Sequence, residues 1–315
     1  MTTTTDVLGA PYTAETIDLS PDDEGARVAT LVHLPADADV PAQRAVLHLH
    51  GFSDYFFQTE YAAWWTSRGY DFYALDLPKA GRSFREHQTP HFVTDLEEYF
   101  PALDQAWSKI TAEHRQVVFA AHSTGGLTGP LWADARRPAE LVGMFLNSPW
   151  FDLQGSALVR ALGTPVLKQI GRWQPKRLIP RSVSGLYTSS LHREHGGEWD
   201  FDLSWKPVDS FDVYTGWLRA IRNGHARLHA GLAVAAPVLV MSSDASSVPS
   251  EMGEDVHSTD IVLDVAHMRR WATSVGTHVT YVAVAGARHD IVLSRPDVRA
   301  RAYAELARWL GAYVE

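Results

Sequence analysis

The stretch that most constrains the fold lies near the middle of the chain, at residues 116–126, and reads Gln-Val-Val-Phe-Ala-Ala-His-Ser-Thr-Gly-Gly. Five apolar residues, Val117 to Ala121, lead almost directly into Ser123, and two glycines follow shortly after it. Leu127 to Ala135 then reads as the start of a helix. A strand, a sharp turn and a helix in this order can present a serine hydroxyl at the end of a sheet, provided that the neighbouring residues are small. The pattern predicts that Ser123 is a nucleophile.

Segments typical of buried strands and of helices alternate between residues 44 and 147. The strands are near-continuous apolar runs, as in parallel strands that are covered on both faces, and we expect them at Arg44–His50, at Tyr70–Leu77, in the apolar run before Ser123 and at Leu141–Asn147. Helices are expected between them at Tyr55–Arg68 and Leu96–Glu113. This βαβ alternation predicts an α/β fold with a mostly parallel central sheet flanked by helices.

Further elements are expected on both sides of this region. Alternating polarity predicts two strands at Tyr12–Leu19 and Ala26–Leu34, and residues 1–10 are expected to form a loose arm before them. After residue 213 the expected elements are, in order, a helix at Tyr214–Leu232, a strand at Pro237–Ser242, a helix at Val262–Val275, a strand at His278–Ala285 and a helix at Pro296–Tyr313.

Residues 150–213 interrupt the alternation. This segment is rich in aromatic residues, contains scattered glycine, proline and charge, and has no apolar run of strand length, so we expect short helices and loops. An insertion between two strands of a sheet is the usual position of a cap over an active site. The predicted organisation is therefore a core made of residues 1–149 and 214–315, with a cap inserted at 150–213.

Composition limits the possible partners. The 315 residues include 28 basic and 37 acidic side chains, and the resulting net charge of −9 argues against nucleic acid as a partner. The absence of cysteine excludes disulfides and thiolate chemistry. The N-terminal residues have neither a basic start nor an apolar run, and no apolar stretch reaches membrane-spanning length. We therefore expect a cytoplasmic protein without an integral membrane segment.

A serine nucleophile needs a base, and the chain offers 15 histidines. His289 is favoured by its position, because it follows the last predicted strand and precedes the last helix. In sheets that carry a serine at such a turn, the acid and then the histidine follow along the chain, with the histidine on this last loop. Imidazole suits the role because its pKa lies near neutrality. His122 is the rival, but the side chain next to the serine is expected to point away from it.

Two aspartates compete for the acid. Asp244 follows the strand at residues 237–242, which is the usual neighbourhood, whereas Asp260 lies just before the penultimate helix and leaves room for one helix and one strand before His289. We favour Asp260, reached by a return of residues 243–258 toward the strand end, and keep Asp244 as the second choice. Asp264 is expected to begin the following helix.

An acyl-transfer site also needs N–H donors for the oxyanion of the tetrahedral intermediate. The residue after the nucleophile, Thr124, supplies one of them. The second is expected from Phe52, because Gly51 before it allows a close approach of the backbone. His48 and His50 have the spacing of a metal pair, but no third ligand accompanies them, so we expect structural histidines and no metal site.

The chain resembles the serine-hydrolase branch that contains monoacylglycerol lipases and lysophospholipases. The stretches that carry the resemblance are His50-Gly51-Phe52-Ser53-Asp54-Tyr55, residues 70–77, Gly81-Arg82-Ser83, residues 121–126 and His289-Asp290. The resemblance covers the chain from about residue 40 to the C-terminus and is weakest in the cap. It implies an α/β-hydrolase fold, with Ser123 and His289 as nucleophile and base and with Phe52 and Thr124 as oxyanion donors. Ala121 replaces the usual glycine, and a long excursion precedes Asp260.

The resemblance implies a two-step acyl transfer on a small-molecule ester, without a cofactor. The aromatic content of the cap suggests an apolar acyl or aryl pocket, for which Trp150 and Phe151 are candidates. A peptidase or amidase of the same fold is the alternative, and an acidic pocket for a substrate amino terminus, formed by Glu194 or Glu198, would favour it. A non-catalytic binding protein on the same scaffold is a third possibility, and it would lack a member of the triad.

Overall fold

A single mixed sheet dominates the computed structural model, which describes residues 3–36, 42–154, 169–181 and 183–315. The strands of the described residues are β1 Thr3–Thr5, β2 Thr13–Asp22, β3 Gly25–Leu34, β4 Arg44–Leu49, β5 Tyr70–Asp76, β6 Gln116–His122, β7 Leu141–Asn147, β8 Val238–Ser243 and β9 Val279–Val284. Their order in the sheet is β1-β2-β3-β5-β4-β6-β7-β8-β9. The pairs among β1, β2, β3 and β5 in this order are antiparallel, and the pairs from β5 to β9 are parallel.

Helices cover both faces of the sheet. Their bounds are α1 Thr59–Thr66, α2 Phe100–Glu113, α3 Gly125–Arg136, α4 Leu186–Leu191, α5 Thr215–His229, α6 Glu254–Ser258, α7 Val265–Trp271 and α8 Pro296–Tyr313. Side chains of α2, α3 and α5 pack in one core, and those of α1 and α8 pack in the other. Among the described residues, every helix is too short or too polar to cross a lipid bilayer.

Strand β6 lies at the centre and contributes to both cores. Val117, Phe119 and Ala121 pack into the core with α2, α3 and α5, whereas Val118 and Ala120 pack into the core with α1 and α8. This alternation follows from the two-residue period of a strand, and it explains why both kinds of position are apolar in the sequence. The continuous apolar run therefore places residue 122 at the carboxyl end of a fully buried strand.

The N-terminal residues differ from the sequence-based expectation of a loose arm. Thr3 to Thr5 pair with β2 in antiparallel register, and the carboxylate of Asp6 accepts a hydrogen bond of 2.8 Å from Nη2 of Arg82. For residues 3–10 the expectation was wrong, because this part is held by strand pairing and by a long-range ion pair, which no local pattern of threonines reveals.

Arg82 and Asp76 fix the loop that follows β4. Oδ1 of Asp76 accepts a hydrogen bond of 3.1 Å from the backbone N–H of Phe56, and Oδ2 accepts one of 2.8 Å from Nη1 of Arg82. The same nitrogen donates to the carbonyl oxygen of Phe56 at 2.9 Å. The side chain of Asp76 has no exposed surface, and these hydrogen bonds supply the partners that a buried carboxylate needs. The network therefore holds residues 51–58 against the end of the sheet.

The segment between β7 and α5, predicted as the cap, is described in part. Residues 155–168 and 182 of the predicted 150–213 lie outside the described residues. In the described part, backbone pairing of the strand type is limited to single bridges, Leu178 with Tyr214 and His192 with Trp199, and α4 is the helix named above. This part contacts the loop after β4, because the N–H of Asp202 donates to the hydroxyl of Tyr55 at 2.6 Å. The boundaries of the cap stay a prediction.

Candidate active site

Ser123 occupies the turn between β6 and α3. Its backbone φ is 53°, a left-handed value that residues with a Cβ rarely adopt. Three backbone hydrogen bonds hold it there: its N–H donates to the carbonyl oxygen of Asn147 at 3.1 Å, and its own carbonyl oxygen accepts from Gly126 at 3.0 Å and from Trp150 at 2.9 Å. The turn is thus fixed from β7 and from the segment that follows β7.

Glycines are required around this turn because the backbone is crowded there. A Cβ on Gly125 would lie 2.5 Å from the carbonyl oxygen of His50, and one on Gly126 would lie 2.6 Å from Cβ of Pro149. Ala121, where the related pattern has glycine, is an ordinary strand residue whose methyl group is buried in the core. Alanine at position 121 therefore does not disturb the turn.

His289 lies beside the serine. Its Nε2 accepts a hydrogen bond of 3.1 Å from the hydroxyl of Ser123, and its Nδ1 donates one of 2.8 Å to Oδ2 of Asp260. The imidazole is 3% exposed, so water has little access to these bonds. A buried chain of hydrogen bonds thus runs from the hydroxyl through both ring nitrogens to a carboxylate.

Asp260 is held rigidly at the end of this chain. Its side chain has no exposed surface, and Oδ1 accepts hydrogen bonds from the N–H groups of Val262 at 2.8 Å and Leu263 at 2.7 Å. Residues 244–259 leave the end of β8 and return to it, because the N–H of Asp260 donates to the carbonyl oxygen of Ala245 at 3.0 Å. This return brings the carboxylate to the histidine.

Asp244 has a different environment. Its side chain is exposed, and Oδ1 accepts a hydrogen bond of 3.1 Å from the N–H of Gly286, which links the ends of β8 and β9. Asp264 begins α7, as its position in the sequence predicts, and accepts a hydrogen bond of 2.9 Å from the N–H of Ala266. Of the three aspartates considered, the one in contact with His289 is Asp260.

The N–H groups of Phe52 and Thr124 have no acceptor among the described residues. The loop that carries Phe52 approaches the serine closely, since a Cβ on Gly51 would lie 3.0 Å from Cβ of Ser123. Thr124 follows Ser123 at the N-terminus of α3, where backbone N–H groups are not used by the helix. Both donors are therefore available to a ligand at the serine.

A cleft of about 490 Å³ opens onto Ser123 and His289. The apolar part of its described wall is formed by Phe52, Trp150, Val183, Val208, Val213, Trp217, Val248, Pro249, Ile261, Val262 and Leu263. Trp150 thus lies where the sequence predicts a substrate-binding residue. Phe151 does not line the cleft, because it is 1% exposed and its side chain is packed in the core with α2, α3 and α5.

The other histidines considered have structural surroundings. Nδ1 of His122 donates to the carbonyl oxygen of Asn147 at 3.1 Å. Both ring nitrogens of His50 are used, one on the carbonyl oxygen of Gly51 and one on the N–H of Leu77. Burial lowers the pKa of His48 to about 4, so this ring is neutral near pH 7. No group of three metal-ligating side chains occurs in the part of the chain that the structure describes.

The sequence did not reveal several residues that support the site. The buried carboxylate of Asp290 accepts hydrogen bonds from Asn147 at 2.6 Å and from Gln58 at 3.2 Å, and it thereby ties the loop of His289 to β7 and α1. Asn147 is a polar residue at the carboxyl end of a buried parallel strand, and that position is the one signal that could have identified it. Gln58 precedes α1 and has no comparable signal.

A family model described as serine aminopeptidase, S33, matches residues 40–296 of the chain. The match includes Ser123, Asp260 and His289. No curated protein matches the chain at the level of sequence.

Solved structures resemble the chain over nearly its whole length. A soluble variant of monoglyceride lipase from Saccharomyces cerevisiae, in complex with a substrate analogue, has a TM-score of 0.68 at 15% identity, with 96% of this chain and 97% of that chain covered. The monoacylglycerol lipase of Paleococcus ferrophilus has a TM-score of 0.64 at 18% identity, with 90% and 98% covered. A thermostable carboxyl esterase from Bacillus coagulans, in complex with glycerol, has a TM-score of 0.63 at 14% identity, with 96% and 99% covered. Together with the family match, these likenesses confirm the predicted α/β-hydrolase fold.

The left-handed backbone of Ser123 generates a prediction about stability. Glycine adopts this conformation without the steric cost of a Cβ, so Ser123→Gly should have a free energy of unfolding about 1 kcal/mol higher than that of Ser123→Ala. Urea denaturation of the two purified variants measures the difference. Ala121→Gly is the matched control: in the extended strand β6 the same residue should lower stability by about 0.5–1 kcal/mol or more. A Ser123→Gly variant less stable than Ser123→Ala would contradict the strain described here.

Proposed function

The chain belongs to the serine aminopeptidase family S33, a family of hydrolases, and from this premise we propose that it cleaves carboxylic esters through an acyl-enzyme intermediate. The observation that carries the proposal is the buried chain of hydrogen bonds from Asp260 through His289 to Ser123, which lies at a cleft with a partly apolar wall. A serine, a histidine and a carboxylate connected in this way are the parts that acyl transfer requires.

In the proposed first step, Oγ of Ser123 attacks the carbonyl carbon of the ester while Nε2 of His289 takes its proton. Asp260 keeps Nδ1 protonated and stabilises the imidazolium that forms. The negative charge that develops on the carbonyl oxygen is bound by the N–H groups of Phe52 and Thr124, which are free of other acceptors among the described residues. The histidine then gives the proton to the departing alcohol.

In the second step, a water molecule replaces the alcohol and is activated by His289. Its attack on the acyl-enzyme releases the carboxylic acid and returns the proton to Ser123. The strained turn contributes to both steps, because it fixes the position of the serine oxygen at the cleft before the substrate binds. This mechanism uses only groups of the chain and needs no cofactor.

The proposed substrates are small esters with an apolar acyl or aryl part, of the kind found in monoacylglycerols and lysophospholipids. Support comes from the wall of the cleft, where Trp150, Trp217 and Val213 offer apolar surface next to Ser123. The volume of about 490 Å³ suits a single chain or ring rather than a large polymer.

A peptidase is the second candidate, because the matched family is described as serine aminopeptidase. An aminopeptidase needs a negative side chain to hold the amino terminus of its substrate. Asp54 is the one carboxylate on the described wall of the cleft, and Nζ of Lys206 lies 2.8 Å from it. Glu198 pairs with Arg299 at 2.9 Å, and neither it nor Glu194 lines the cleft. The charges at the cleft therefore favour an ester over a peptide with a free amino terminus.

A binding protein without activity is the third candidate. Its expected signature is a missing or displaced member of the catalytic set. The hydrogen bonds of His289, 3.1 Å to Oγ of Ser123 and 2.8 Å to Oδ2 of Asp260, argue against a protein without activity.

The proposed function predicts that the purified protein hydrolyses p-nitrophenyl esters of graded chain length and leaves an aminoacyl p-nitroanilide intact. The esters are expected to react because the cleft has apolar surface for an uncharged chain, and the anilide is expected to fail because the described wall of the cleft has no unpaired carboxylate for its ammonium group. Release of p-nitrophenol and of p-nitroaniline is measured by absorbance.

Variants at the site distinguish the activity of this protein from that of a contaminating esterase. Ser123→Ala and His289→Ala should abolish ester turnover, whereas His122→Ala should lose less, because its ring contacts the backbone of Asn147 rather than the serine. Turnover that persists in Ser123→Ala, or faster anilide than ester cleavage by the unaltered protein, would refute the proposal.

The assignment of the acid generates a separate prediction. Asp260→Asn keeps the shape of the side chain but removes the charge that fixes the tautomer of His289, so turnover should fall by about 10⁴. Asp244→Asn is the matched control: the amide oxygen can still accept the hydrogen bond from Gly286, so turnover should stay within about twofold and stability within about 0.5 kcal/mol. Both variants are assayed on the best p-nitrophenyl ester. An active Asp260→Asn variant, with an inactive Asp244→Asn variant, would reverse the assignment.

A further inference from the structure

Three ionic side chains other than the histidines line the described wall of the cleft, Asp54, Lys206 and Arg181. Two of them neutralise each other. Nζ of Lys206 lies 2.8 Å from Oδ1 of Asp54, and the two side chains are 6% and 3% exposed. The charge of Lys206 holds the pKa of Asp54 below its usual range against the opposite effect of burial, so the carboxylate is ionised near neutral pH. The charge that remains at the cleft is that of Arg181.

Arg181 has no counter-ion in the part of the chain that the structure describes. No carboxylate oxygen of the described residues lies within 4.0 Å of its guanidinium group, although Asp212 attracts it through space. One nitrogen, Nη2, donates to Oγ of Ser210 at 3.1 Å and to the carbonyl oxygen of Phe211. The described residues offer no acceptor to Nε and Nη1. A guanidinium group has five N–H donors, so several of them are left for a ligand.

The guanidinium group is fastened to the loop that carries one of the proposed oxyanion donors. Its central carbon lies 5.9 Å from the centre of the Phe52 ring. The residue that anchors it, Phe211, also donates its N–H to Oγ of Ser53 at 3.1 Å. Arg181 is therefore held by Ser210 and Phe211 beside Phe52, with its positive charge on the wall of the cleft that also contains Ser123.

We propose that Arg181 forms a subsite for a carboxylate of the substrate, so that the preferred esters carry a carboxylate on their acyl or alcohol part. This inference rests on the proposed ester hydrolysis and names the substrate class more closely. The planar fork of a guanidinium group matches the two oxygens of a carboxylate. The apolar part of the same substrate lies against Trp150, Trp217 and Val213. A neutral glyceride would leave the cation without a partner.

Two pairs of substrates test the subsite, each made of an acid and its methyl ester. The first pair is mono-4-nitrophenyl adipate and methyl 4-nitrophenyl adipate, with the carboxylate on the acyl part. The second is 4-carboxyphenyl acetate and 4-(methoxycarbonyl)phenyl acetate, with the carboxylate on the alcohol part. The unaltered protein should have a kcat/KM at least about tenfold higher for the anionic member of at least one pair, the effect of one charge-assisted hydrogen bond.

Arg181→Gln should remove this preference by raising KM for the anionic ester about tenfold. The kcat for the anionic ester, and both kcat and KM for the neutral ester, should change by less than about twofold. Arg181→Lys keeps the charge without the fork and should retain part of the preference. Arg177→Gln is the matched control, because Arg177 is exposed on the same segment, does not line the cleft and has a side chain that donates only to Oε1 of Gln174 among the described residues. It should keep the full preference.

The possible failures can be distinguished. If the unaltered protein hydrolyses the neutral esters as fast as the anionic ones in both pairs, the subsite is refuted and the ester hydrolysis stands. A preference that is equally strong in Arg181→Gln and the unaltered protein would also refute it. If neither member of either pair is hydrolysed, the proposed function fails, and the subsite fails with it.

Discussion

Ser123 keeps its left-handed backbone because the chain packs tightly around it. Its N–H and carbonyl groups are bonded to residues of β7, of α3 and of the segment after β7, and Gly125 lies so close to the carbonyl oxygen of His50 that no side chain fits between them. The turn therefore depends on the parallel arrangement of β4, β6 and β7. The same arrangement of strands brings the loop of Phe52 to the serine. The packing of β4, β6 and β7 therefore determines the geometry of the site.

The sequence predicted the parallel part of the fold well, because strands buried on both faces are continuous apolar runs. Leu141–Asn147 and Pro296–Tyr313 have the predicted bounds, and β4 and β5 each end one residue before their predicted ends. It also predicted that Ser123 and His289 come together: Ser123 directly follows β6, His289 lies on the loop between β9 and α8, and Oγ of Ser123 lies 3.1 Å from Nε2 of His289. The local sequence pattern was sufficient to predict a site residue wherever the end of a strand determined the position of that residue.

Interactions between distant segments were beyond the reach of such patterns. The N-terminal arm is held by Arg82, which lies 76 residues after Asp6 in the chain. Arg181 reaches the cleft through contacts with Ser210 and Phe211, and nothing in its sequence neighbourhood distinguishes it from other exposed arginines. Asp260 was favoured over Asp244 by the length of the connection alone, and the pairing of residues 245–247 with residue 260 is what brings it to His289.

The most direct test of the account is the covalent labelling of the protein with a fluorophosphonate, which reacts with an activated serine and stays bound as a stable adduct. Peptide mass spectrometry then locates the adduct among all serines of the chain. We expect one adduct, on Ser123, formed in step with the loss of ester hydrolysis and absent from His289→Ala. An adduct on another serine, or a loss of activity while Ser123 stays unmodified, would contradict the account.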